Sequence, residues 1–80
     1  MRFELFTQVA LAQDIPEKSL RAGDIATIVE HHPPRQGMDG YTLEVFDAVG
    51  NTFAVVTVAE SNLEPLRSGE ILSVRSLAHV

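Results

Sequence analysis

Gly23-Asp24-Ile25-Ala26-Thr27-Ile28-Val29 carries most of the architectural information in this chain. A Gly-Asp turn opens directly into a β-branched run, and two similar runs follow at 41–46 and 53–58. Glycine supplies the backbone freedom of the turn, while Ile, Val and Thr suit a pleated, half-buried strand. With a side-chain period of two, Ala26, Ile28 and Glu30 share one face of the first run, and Ile25, Thr27 and Val29 the other. In the second run Tyr41, Leu43 and Val45 face together, with Thr42 and Glu44 turned outward. The third run is the most apolar, which predicts a central position for it in the sheet.

The flanking segments fit the same plan. Val9 and Leu11 lie two apart in 8–12, as in a half-buried first strand, and Pro16 ends it because it has no N–H to give a ladder. Residues 2–6 read equally well as a short strand or one helical turn. Residues 14–23 form a long polar loop pinned by Ile15 and Leu20. Two prolines and two glycines within 32–40 make a second long loop. Asp47 and Gly50 supply a tight hairpin between the later runs: Asp47 begins the turn and Gly50 adopts its positive φ. Residues 60–62 form a single 3₁₀ turn. Pro65 then marks 63–67 as an edge strand. Residues 71–75, with Leu72 and Val74 facing together, can add a sixth strand at the C-terminal end.

Five short strands in this order predict an all-β fold, a small SH3-like barrel, with an open β-sandwich as the alternative. Eighty residues make one domain, 1–80, with a barrel core at 8–67 and flanking extensions at 1–7 and 68–80. The chain has no cysteine, so no disulfide staples it and nothing points to an oxidising compartment. Glu4, Gln8 and Gln13 interrupt the apolar residues near the start, so no signal peptide or membrane span is expected and the reading is cytoplasmic.

Eleven acidic residues against six basic ones give a net charge of −5. The cations Arg2, Lys18, Arg21, Arg35, Arg67 and Arg75 are scattered, with no two adjacent. Nucleic-acid binding needs a basic stripe that displaces counterions, so no nucleic-acid partner is expected. An acidic surface favours a basic protein partner.

No pattern in the chain carries chemistry. His31 and His32 are adjacent, so on a strand they point to opposite faces and do not chelate one ion; His79 is distant. Asp24 and Asp47 read as turn residues bonding nearby N–H groups, and Glu30 and Glu44 as solvated side chains. Ser61 lacks a nucleophile motif, and the glycines lack phosphate-loop spacing. No catalytic residue, metal site or cofactor is expected. Tyr41 and Phe53 belong to the core in this reading. Phe46 is out of phase with Leu43 and Val45, so it points away from the interior. It is either a contact residue or a surface covered by Phe3 or Phe6 of the N-terminal segment.

Several stretches also resemble a known family. They are Asp14-Ile15-Pro16, Leu20-Arg21-Ala22-Gly23-Asp24-Ile25-Ala26-Thr27-Ile28-Val29, Tyr41-Thr42-Leu43-Glu44-Val45-Phe46-Asp47, Ala54-Val55-Val56-Thr57-Val58 and Leu63-Glu64-Pro65-Leu66. In this order and spacing they are similar to a bacterial family known as domain of unknown function 4926, over residues 8–67. The resemblance implies an SH3-like barrel, a bacterial and often cyanobacterial source, and no assigned catalytic residue. It also implies the small neutralising partner of a neighbouring gene product, of antitoxin or immunity type. Residues 1–7, the tail from Ser68 and the proline-rich 32–40 loop depart from the family pattern.

The expectation is therefore a non-enzymatic protein-binding module. Its working surface is the acidic loop face between Asp14 and Asp24 together with the 32–40 loop. Asp14, Glu17, Asp24, His32, Arg35 and Phe46 are the candidate contact residues. The alternative is a self-associating structural protein that dimerises by adding residues 71–75 to a neighbour's sheet edge.

Overall fold

A computed structural model describes residues 2–77. They form one antiparallel sheet of five strands: β1 (Gln8–Leu11), β2 (Ile25–His32), β3 (Gly40–Phe46), β4 (Thr52–Ala59) and β5 (Leu63–Pro65). The spatial order is β4-β3-β2-β1-β5. With long loops after β1 and β2, a hairpin between β3 and β4, and a 3₁₀ turn (Glu60–Asn62) leading into β5, this is an SH3-like barrel. Its seam stays open, because β4 and β5 are the two ends of the sheet.

The interior is filled by the faces that the period-two pattern selects. Val9 and Leu11, Ala26 and Ile28, Tyr41, Leu43 and Val45 are all buried. Burying each large apolar side chain contributes about 1.5–3 kcal/mol, and this offsets the ordering entropy of a short chain. Phe3 reaches in from the N-terminal flank and packs edge-on against Tyr41, with ring centroids 5.6 Å apart.

The structure corrects several expectations. β4 lies at an edge, and the centre of the sheet belongs to β2. Apolar content misled here because the barrel interior needs only one face of β4: Val56 is buried, whereas Val55 on the other face is 52% exposed. Glu30 does not share a face with Ala26 and Ile28. The register slips between Ile28 and Glu30, so Val29 is an extra residue that turns the strand over. His31 then pairs with buried Tyr41, and its ring sits 5.2 Å from the tyrosine ring. Residues 2–6 form neither a strand nor a helical turn. They make a tight turn with Phe6 at φ 62°, whose N–H donates to the Ile28 carbonyl.

The sixth strand is also absent, since residues 71–77 run without regular pairing. Instead the side chain of Arg75 reaches back across the barrel to Asp24. Beyond these points the hairpin and the 3₁₀ turn fall where expected. Among the described residues no helix is long and apolar enough to cross a membrane.

Candidate functional site

Residues 12–24 form a built loop. Its root is closed by two bonds, from Gly23 N–H to the Leu11 carbonyl (2.7 Å) and from Leu11 N–H to the Asp24 carbonyl (2.9 Å). Pro16 starts a 3₁₀ turn, Pro16–Lys18, as its fixed φ suits. Ser19 in the left-handed region ends that turn. A bridge between Ile15 and Leu20 then folds the loop on itself, with Leu20 buried in the core.

Two of the loop's carboxylates hold its shape. Asp14 accepts the Ala22 N–H at 2.8 Å, and Asp24 accepts the Arg21 N–H at 2.8 Å. Asp24 also receives Nε and Nη2 of Arg75, a two-pronged contact in which each nitrogen meets its own carboxylate oxygen. Partial burial disfavours the charge on Asp24. The Arg75 guanidinium and the Arg21 N–H outweigh that effect and hold its carboxyl below the usual carboxylate range. Glu17 stands exposed on the 3₁₀ turn.

The loop has a groove on either side. On one side the 14–18 turn faces the outer edge of β4, and Val55, Thr57, Ala59 and Asn62 complete a groove of about 460 Å³. On the other side Leu20, Asp24, Ile25, Val45, Phe46 and Phe53 face residues 71–77 across a cleft of about 690 Å³.

The second long loop, 33–39, is anchored at its end. His31 Nε2 and Asp39 Oδ2 lie 2.7 Å apart, and Glu60 N–H donates to the Asp39 carbonyl at 2.8 Å. The 3₁₀ turn Glu60–Asn62 therefore fastens both loops, because the Asn62 carbonyl also accepts Ala12 N–H at 2.7 Å. The same turn grips the core: Tyr41 donates its hydroxyl proton to Glu60 Oε2 at 2.8 Å and accepts the N–H groups of Arg2 and Phe3. Burial raises the Tyr41 pKa, and the Glu60 carboxylate adds to the rise.

The six nominated residues thus occupy three places. Asp14 and Glu17 line the groove beside β4. Asp24 and Phe46 line the cleft under residues 71–77. His32 and Arg35 belong to the far end of β2 and its loop. There His32 Nε2 lies 2.7 Å from Thr42 Oγ1, which in turn lies 2.8 Å from Thr57 Oγ1, a polar row across the outer face. Phe46 is 44% exposed, and it is the C-terminal segment, not Phe3 or Phe6, that shares its cleft. Sequence reasoning passed over Arg75, whose only signal was a lone cation in an apolar tail. His79 lies outside the described residues.

A family model described as Domain of unknown function (DUF4926) matches residues 5–65. No curated protein and no solved structure matches the chain.

Proposed function

The chain belongs to the DUF4926 family, and from its own geometry we propose that it is a non-enzymatic protein-binding module that docks an acidic loop face onto a basic partner. One observation carries this reading: residues 12–24 are tied together by internal hydrogen bonds while placing carboxylates beside a polar groove on one side and a mainly apolar cleft on the other. A preorganised loop loses little entropy on binding, and its charge speeds encounter with a cation. Asp14 and Asp47 are committed to backbone N–H groups, Asp24 to the Arg75 ion pair and Glu60 to the Tyr41 hydroxyl, which suits scaffolding better than proton transfer. A cytoplasmic bacterial setting, with the chain as the antitoxin- or immunity-type neutraliser of a neighbouring gene product, fits this surface.

The test begins with capture of partners from the native host and identification by mass spectrometry. Association kinetics of the recovered partner are then compared for wild type and for charge reversal at Asp14, Glu17 and Asp24. A basic partner whose association slows, with a smaller effect at high salt, supports the proposal. Kinetics that ignore these charges remove it.

A second reading has its own support. β4 is a sheet edge, and residues 71–77 lie outside regular structure with Ile71 and Val74 about nine-tenths exposed. Such a segment can add to a neighbour's edge and make a dimer. Sedimentation at tens of micromolar protein separates the two, since a monomer speaks against self-association.

A further inference from the structure

We infer that the cleft beside Asp24 takes an extended aliphatic segment carrying one arginine, and that residues 71–77 are an internal mimic of that segment, competing for its place. The inference rests on the protein-binding reading and names the chemistry of the partner. Asp24 is shaped as an arginine acceptor. One N–H, from Arg21, fixes the carboxylate, and both oxygens face the guanidinium of Arg75. Nη2 of Arg75 also reaches the Ser19 carbonyl at 3.3 Å. A planar fork satisfies this set, whereas an ammonium does not.

The rest of the tail is poorly seated. Ile71 and Val74 remain almost wholly exposed, and the cleft of about 690 Å³ between tail and barrel stays open over Ile25, Val45, Phe46 and Phe53. A purely structural tail would bury its aliphatic side chains. This one is held chiefly by the arginine contact and by its tether, which supplies an effective concentration on the order of millimolar. A partner segment with the same arginine and a better apolar fit gains the burial that the tail forgoes, and so displaces it.

The probe is a fluorescent peptide with the sequence of residues 70–77, titrated into full-length protein by anisotropy. Arg75→Ala, which frees the cleft, should bind it at least about fivefold more tightly than wild type. Peptides with glutamine or lysine in place of the arginine should lose that binding, which tests the acceptor without disturbing the protein. Asp24→Asn placed on the Arg75→Ala background should lose it too, with circular dichroism confirming the fold. Equal binding to wild type and Arg75→Ala overturns the inference, as does indifference to the peptide's arginine. Dimerisation of wild type in sedimentation that is lost in Arg75→Ala overturns it in favour of tail exchange between copies. If the peptide fails while a captured partner still responds to Glu17 reversal, the inference falls and the protein-binding reading stands. Arginine-specific peptide binding with no charge-sensitive partner leaves the cleft as a strap site and sinks the broader reading.

Discussion

Tyr41 shows how one side chain joins distant parts of this small protein. Its ring is buried among core residues, and its hydroxyl serves Arg2, Phe3 and Glu60 together. Tyr41→Phe keeps the packing and strands those partners, so a loss of about 1–2 kcal/mol is expected in urea denaturation. Asp24 gives a pH signature. Its folded pKa is lowered, so its contribution to stability is complete above the ordinary carboxylate value of about 3.9 and disappears as pH falls through the lower folded value. Asp24→Asn should therefore be less stable than wild type by about 1 kcal/mol at pH 7, with a smaller gap at about pH 3, below the ordinary carboxylate value. Urea midpoints at the two pH values check this, and a constant gap would contradict it. The turn role of Asp24 was legible because aspartate after glycine before a β-branched run has a local meaning. Its arginine partner was not, because Arg75 lies 51 residues away.

Strands and turns divide in the same way. The hairpin between β3 and β4 follows from Asp47 and Gly50 alone. Asp47 accepts the N–H groups of Val49 and Asn51, which lowers its pKa, and Gly50 sits at φ 91°. Gly50→Ala meets no steric neighbour, yet it forces alanine into the left-handed region. A loss of about 1 kcal/mol is expected, read as a lower melting temperature with the fold unchanged. Strand existence was equally legible, since alternation names the inward residues of β3 without any knowledge of its neighbours. Strand position was not. Whether an apolar strand is central or peripheral depends on how the sheet closes, and β4 keeps Val55 exposed at an edge. The tail shows the converse: its apolar content suggested a strand, but residues 71–77 pair with neither edge of the sheet.

Considered as a single charged body, the protein keeps its net charge of −5, since the Arg67–Glu70 and Arg75–Asp24 pairs each remove one cation and one anion. Glu17 is the cleanest handle on the resulting field, since it is exposed and its reversal leaves the loop's own hydrogen bonds in place. Glu17→Lys should slow association with a basic partner severalfold at low salt, with unfolding unaffected and the difference fading above about 0.5 M salt. Stopped-flow rates across a salt series test it. The candidate surface could be nominated residue by residue, but its division into three places could not, because loops 12–24 and 33–39 are fastened by a turn far along the chain. Short-range order in the amino acids was enough to settle the class of fold, the loops, the hairpin and the inward faces, since alternation and turn chemistry act over a few residues. The slip at Val29 that carries His31 inward, the edge position of β4 and the tail held at Asp24 depend on contacts between remote segments, which exist once the sheet has assembled.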